Sequence, residues 1–327
     1  MVARVLLSQP LAGDAIERLA GACQLETLGA PLTAASIEGM DLGDVAGLVC
    51  LLTDRVDAAL LARLPALRFV SSISVGVDHV DVHALTERGI PLGHTPGVLV
   101  DATADTAFSL LLCAARRIAE GDRYIRAGQW QPDKRWAPDF FLGKDVSGAT
   151  LGILGLGDIG QAVARRGAGF GMRVISWTRS GREVPGVEAV SLDELLSRSD
   201  FLSVNVALSE ETRGLLGAEA IVRMKPGAVL VNTARGGIVD EVALAEALDR
   251  GHLYAAGLDV FEREPLAPDS PLLAHPRIVL APHVGSATVK TRQAMVALAV
   301  DNALDALAGR PMARCVNPSV YPLPGVG

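Results

Sequence analysis

Three glycines spaced as Gly155-Leu156-Gly157-Asp158-Ile159-Gly160 constrain this chain more than any other feature. Ala149 to Leu154 before them is an apolar run of strand type, and Gln161 to Phe170 after them reads as a helix. Strand, glycine turn and helix form the setting in which this spacing holds a dinucleotide; elsewhere the same glycines would mean little. The first permits a tight turn and the second lets backbone approach a pyrophosphate. The third lets helix pack on strand, with the helix N-terminus facing the negative charge. The competing reading is an ordinary strand–helix turn with surplus glycine.

The loop sits in mid-chain, so a separate unit must precede it. Apolar strand runs at 3–7, 24–28, 47–52, 69–73 and 90–93 alternate with helical stretches at 12–20, 57–63 and 82–89. A second series has strands at 150–154, 173–177, 201–206, 228–232, 254–259 and 278–281. Alternation with crossover helices implies parallel sheets covered on both faces. The expected fold is α/β, with two doubly wound parallel-sheet domains, flavodoxin-like and Rossmann, and a cleft between them. A last helix, 286–307, returns to the first domain. The domains therefore read as 1–99 with 286–327, for substrate, and 100–285, for the dinucleotide. Helix 101–120 is apolar almost all round, which fits either core burial or a subunit interface. The Pro/Gly-rich tail 317–327 is expected to be mobile at its tip.

At 327 residues the chain has room for about two domains, and half of its residues are hydrophobic. A net charge of -7 argues against a nucleic-acid partner. Cys23, Cys50, Cys113 and Cys315 form no C-x-x-C pair and read as small hydrophobes in a reducing compartment, not as metal ligands. No signal peptide is read at the start, and the apolar stretch 102–115 is too short to span a bilayer. A cytoplasmic protein with no membrane contact is expected.

The second strand of the nucleotide series ends in Trp177-Thr178-Arg179-Ser180-Gly181-Arg182. An acid about 20 residues past the glycines would hold the adenosine ribose of NAD. Thr178, Arg179 and Ser180 instead suit a 2′-phosphate through charge-assisted hydrogen bonds, which points to NADP(H), with NAD(H) still possible. The alternative is that Arg179 and Arg182 are plain surface arginines; Glu183 lies too far on to serve as the acid. Arg235, followed by Gly236-Gly237 after a strand, can hold an acid substrate bidentately, or can merely cap the next helix. His283 ends the last strand before a glycine turn, whereas His79, His83, His94, His252 and His275 read as structural. Glu264 ends the neighbouring strand and can pair with that imidazole, stabilising an imidazolium and fixing the ring; Glu262 is the competing acid.

Together these segments resemble the D-isomer-specific 2-hydroxyacid dehydrogenases over nearly the whole chain, and within them the glyoxylate/hydroxypyruvate reductases. The likeness rests on Cys50 to Asp54, Ser74 to His79, His94 to Leu99, Ala102 to Asp105 and Gly155 to Gly160. It continues through Asn232 to Gly237, Gly257 to Pro265 and Pro282 to Thr288. The resemblance implies that Arg235 holds the substrate carboxylate and carbonyl, that His283 is the acid/base and that Glu264 is its partner. It implies a second carboxylate contact from the Val75 and Gly76 backbone. Asp259 would hold the nicotinamide carboxamide, with Thr103, Thr233, Ala234 and Gly285 also beside the cofactor. It further implies a homodimer with helix 101–120 in the interface, and a Trp136 that reaches the neighbour's site and limits substrate size, against plain packing. Two places depart from the family pattern. Asp158 stands where Arg or His is common, and Asn205 and Ala207 stand where many members have His and Pro.

The function so implied is NADPH-dependent reduction of small 2-keto acids, glyoxylate to glycolate and hydroxypyruvate to D-glycerate, with His283 as proton donor. The alternatives are another D-2-hydroxyacid dehydrogenase, such as one acting on D-3-phosphoglycerate, and a NAD(H)-binding corepressor-like protein. No extra basic cluster near Val75 marks a substrate phosphate, and a NAD(H) sensor would want an acid near Thr178.

Overall fold

The computed structural model describes residues 2–321; residues 322–327, the tail tip of the sequence reading, lie outside that range. The chain forms two compact units, one of them the continuous stretch Val100–Ala287 and the other built from the residues on either side of it.

The first unit opens with β1 (Arg4–Leu7), α1 (Asp14–Ala22), β2 (Gln24–Thr27), β3 (Val45–Cys50) and α2 (Ala58–Ala62). It continues with β4 (Phe69–Ser72), α3 (Val82–Glu87) and β5 (Leu92–Gly93). The five strands are parallel in the order β2-β1-β3-β4-β5, a doubly wound arrangement. Every residue of β3 is buried, as a strand covered on both faces requires. Gly47 of β3 faces Phe69 of β4, and a Cβ there would lie 2.2 Å from the phenyl ring, so the glycine makes room for the aromatic. Asp57 and Asp81 cap α2 and α3 by accepting the Leu60 and Ala84 amides.

The second unit begins with α4 (Val100–Ala115) and α5 (Ile118–Arg126), then β6 (Thr150–Leu154), α6 (Asp158–Gly169), β7 (Arg173–Trp177) and β8 (Glu188–Ala189). After α7 (Leu192–Arg198) come β9 (Phe201–Val204), α8 (Ala218–Arg223), β10 (Val229–Asn232), α9 (Glu241–Asp249), β11 (Ala255–Leu258) and β12 (Ile278–Leu280). Its sheet is parallel in the order β12-β11-β10-β9-β6-β7-β8. The chain then returns to the first unit with α10 (Val289–Leu307), capped by the Thr288 hydroxyl.

Three details differ from the sequence reading. The second sheet has seven strands rather than six, because β8 is two exposed residues with no apolar run to announce it. The helix expected over 101–120 breaks after Ala115, where Arg117 adopts a left-handed φ of 55°. Arg117 is held there by Glu120 at 2.6 Å and by the Phe141 ring, 4.5 Å from its guanidinium carbon. The helix after the glycine loop starts at Asp158, three residues earlier than expected. The all-round apolar character of α4 has a local cause: Ala104, Ala107, Leu110, Leu111 and Ala114 are buried in this unit's own core. A Cβ on Gly257 of β11 would come within 2.8 Å of Leu110 Cβ, so strand and helix meet closely there.

Candidate active site

In a doubly wound sheet, ligand-binding groups gather beyond the carboxyl ends of the strands. In the second unit those ends lead to Gly155 after β6, Thr178 after β7, Asn205 after β9, Thr233 to Arg235 after β10, Asp259 after β11 and His283 after β12.

Gly155 turns the chain with φ 96°, and a Cβ on it would strike the Asn205–Val206 backbone within 3 Å. Gly160 packs on Gly155, where a Cβ would lie 2.1 Å from the Gly155 oxygen. Gly157 is different: nothing lies within 4 Å of where its Cβ would be. It is the N-cap of α6, and no side chain satisfies the first amides of that helix. Nearby strand ends carry two buried oxygens, Thr233 Oγ1 and Asn205 Oδ1, that lack a hydrogen-bond partner among the described residues. Open space over one glycine, uncapped helix amides and unsatisfied buried oxygens fit a dinucleotide. Asp158 is the first residue of α6 and is exposed, with Leu156 and Ile159 directed to the core side.

The exit of β7 shows an arrangement the sequence did not suggest. Arg179 Nη1 lies 3.1 Å from Glu211 Oε2, and the Ser209 hydroxyl donates to the same carboxylate oxygen at 2.6 Å. That hydroxyl, with the charge of Arg179, holds the Glu211 carboxyl below its ordinary range. Thr178 Oγ1 accepts the Arg182 amide at 2.9 Å, which tightens the turn, and Ser180 is exposed.

The three candidate catalytic side chains all belong to this second unit. His283 Nδ1 lies 2.6 Å from Glu264 Oε2, while Glu264 Oε1 accepts the Phe261 amide at 3.0 Å. Burial alone pushes the Glu264 carboxyl up. The His283 hydrogen bond, the Phe261 amide and the charges of His283 and Arg235 outweigh it, and the group settles below the usual carboxylate range. Glu262, the competing acid, instead lends its amide to Glu241 at 2.6 Å. The Glu241 carboxyl is pushed up by burial and by the neighbouring charges of Glu262 and Glu264.

Asn232 shapes the exit of β10: its amide donates to the Arg235 carbonyl at 2.8 Å, and its oxygen accepts the Ala234 amide at 3.0 Å. Arg235 Nη1 donates to the Ala234 carbonyl at 2.8 Å. Gly236 then runs against the Phe261–Glu262 backbone, which ties the arginine turn to the glutamate turn.

Asp259 is buried, with 1% exposure, and both its oxygens accept amides at 2.7 Å, from Val284 and from Gly285. Its carbonyl also accepts the His283 amide at 2.9 Å. His283 has φ 55°, uncommon for a residue with a Cβ, and Asp259 fastens the turn on both sides of it. Burial pushes the Asp259 carboxyl up despite those amides. This fastening is separate from the carboxamide contact that the resemblance implies. Thr103 lies beside the same turn, with its Cγ2 3.4 Å from where a Gly285 Cβ would be.

Val75 and Gly76 are in the first unit, directly after β4, and are half-buried. Trp136 lies between α5 and β6 and is 82% exposed. Cys50 is fully buried, and its thiol is pushed up to about 12 by burial, so it is no nucleophile. Among the described residues, no cluster of His, Cys, Asp and Glu is placed to hold a metal. The backbone contacts of Asn232, the packing of Gly236 on Phe261, Asp259's second role and Glu211 escaped sequence reasoning. Only the Asn-x-x-Arg spacing of Asn232 to Arg235 offered a signal.

Residues 108–285 match the family model for the NAD-binding domain of D-isomer specific 2-hydroxyacid dehydrogenases. A glyoxylate reductase from Korarchaeum cryptofilum is 50% identical over 79% of this chain and 79% of its own. A glyoxylate/hydroxypyruvate reductase B from Klebsiella pneumoniae is 48% identical over 82% of this chain and 84% of its own. The NADPH-dependent glyoxylate/hydroxypyruvate reductase of Sinorhizobium meliloti, solved with NADP and malonate, is 33% identical. It superposes with a TM-score of 0.90 over 100% of both chains.

Proposed function

The chain belongs to the D-isomer-specific 2-hydroxyacid dehydrogenase family, and within it we propose an NADPH-dependent reductase of glyoxylate and hydroxypyruvate that yields glycolate and D-glycerate. The carrying observation is the 2.6 Å pair of His283 and Glu264, with the Arg235 charge felt by the same carboxylate. The names of the relatives support the substrate class.

The glycine loop, the α6 amides, Thr233 and the Thr178–Ser180 turn hold the cofactor. When bound, its nicotinamide supplies the hydride that reaches the keto carbon. Arg235 binds the substrate carboxylate and polarises the keto oxygen, stabilising charge as it develops there. His283 Nδ1 is engaged by Glu264, so Nε2 is the nitrogen that delivers a proton to that oxygen. Glu264 keeps the ring oriented and offsets the imidazolium charge before transfer. Val75 and Gly76 give the carboxylate its second contact through backbone amides. A homodimer is supported by Ile118 and Ile125 on α5 and by Trp130, Trp136 and Leu142 between α5 and β6, large exposed apolar side chains for a second copy to cover. In that dimer Trp136 limits substrate size. No helix of the described residues is long and apolar enough to cross a membrane, and we place the enzyme in the cytoplasm.

A second reading, equal use of NADH, has one observation in its favour: Arg179 already holds a carboxylate. Initial rates of NADPH and NADH oxidation with each keto acid decide between them. A much higher kcat/KM with NADPH supports the reading; equal rates retain the chemistry and remove the phosphate preference. No turnover with either keto acid overturns the substrate assignment.

A further inference from the structure

The exit of β4 carries three successive carbonyls, each engaged within the first unit. Ser74 O accepts the Thr95 amide at 2.8 Å, Val75 O meets His94 Nδ1 at 3.2 Å, and Gly76 O accepts the Ser74 hydroxyl at 2.8 Å. In a planar trans peptide the N–H points opposite to the C=O. The amides of Val75, Gly76 and Val77 therefore face away from these partners, and none has an acceptor among the described residues. Consecutive backbone N–H groups turned the same way make an anion-binding concavity.

One of those carbonyls ends a chain of side chains whose direction is forced. The Gly76 oxygen can only accept, so Ser74 spends its single proton there. Ser72 Oγ, 2.7 Å from Ser74 Oγ, must then be the donor in that contact. Having given its proton, Ser72 must accept from His79 Nε2 at 3.0 Å. Both serines are buried, at 0% and 3% exposure, so their hydroxyls depend on these partners.

We propose that His79 is a positioning residue: through Ser72 and Ser74 it fixes the Gly76 carbonyl and so aims the backbone amides at the substrate carboxylate. This rests on the reading that the Val75–Gly76 backbone receives that carboxylate. The requirement on His79 is a hydrogen on Nε2, which a glutamine amide at similar reach can supply.

The test uses full-length protein and four variants, Ser74→Ala, His79→Ala, His79→Gln and Gly76→Pro. For each, KM and kcat for glyoxylate are measured, with oxalate affinity in the presence of NADPH, NADPH affinity and the thermal midpoint. Ser74→Ala and His79→Ala are expected to raise KM and weaken oxalate about tenfold, the scale of one charge-directed hydrogen bond, with kcat changed less and NADPH affinity unchanged. His79→Gln is expected to stay close to wild type. A KM within about twofold of wild type in both alanine variants overturns the proposal. So does failure of His79→Gln to rescue a folded protein. Gly76→Pro removes one of the amides itself. If it is folded and leaves KM and oxalate binding unchanged, the carboxylate reading of this loop falls. If it weakens both while the alanine variants do not, only the relay falls. Should Gly76→Pro not fold, oxalate binding by Ser74→Ala decides.

Discussion

Gly236 and Phe261 meet backbone to backbone: a Cβ on Gly236 would lie 1.8 Å from the Phe261 carbonyl carbon. The contact joins the turn that carries Arg235 to the turn that carries Glu264, so the spacing of cation and acid is set by the absence of one methyl group. Gly236→Ala is expected to destabilise the protein by about 1–3 kcal/mol, as overpacking does. Because the two turns must part, kcat/KM should fall further than stability alone explains. Denaturant unfolding beside kinetics on the folded fraction checks this.

His283→Ala should lower turnover by roughly 10²–10⁴, the range for loss of a general acid. NADPH affinity, measured by fluorescence, should be unchanged. Turnover near that of the wild type would remove His283 from the chemistry.

Glu264 lies below its ordinary carboxylate range in the folded chain, so it contributes stability above its unfolded value of about 4.3. That contribution is lost as pH falls through the depressed folded value. Glu264→Gln should therefore flatten the acid side of the stability profile while leaving its alkaline side alone. Unfolding midpoints across mildly to strongly acidic buffers test it, and an unaltered acid slope would contradict it.

At the exit of β7, a cofactor 2′-phosphate must take Arg179 from Glu211. Exposed ion pairs of this kind are weak, because solvent screens them. Glu211→Gln should therefore tighten NADPH by up to about fivefold and leave NADH almost unchanged. Arg179→Ala should weaken NADPH and spare NADH. Calorimetric titration with 2′,5′-ADP and with ADP isolates the phosphate contribution. Equal responses to the two ligands in Arg179→Ala would remove the phosphate site from this turn.

What the sequence revealed and what it hid follow from the range of the interactions concerned. β3 and β6 were visible because a strand buried on both faces must be a continuous apolar run, and the glycine loop because its spacing answers a local backbone demand. β8 was invisible because two exposed residues leave no pattern. The break at Arg117 was hidden because a left-handed arginine is held by Glu120 and Phe141, and the second of these lies 24 positions away. His283 and Glu264 could be paired on paper because both end neighbouring strands. The clasp of Asp259 on the Val284 and Gly285 amides could not, since backbone partners carry no letter. The same holds for Ser74 and His94, whose partners are carbonyls of Gly76 and Val75.

The return of α10 to the first unit has a consequence for the order in which the chain can be finished. Ser71 of β4 donates to the Ala299 carbonyl, and Asn302 holds the His94 carbonyl while accepting the Arg314 amide. His94 is the residue that fastens the Val75 carbonyl. As the chain leaves the ribosome, Val100–Ala287 is complete and continuous before Asn302 emerges. The continuous unit can thus close first. The other unit, although its strands are made first, waits with one face of β4 and β5 bare until α10 arrives. The loop after β4 is accordingly among the first segments synthesised and among the last to be set.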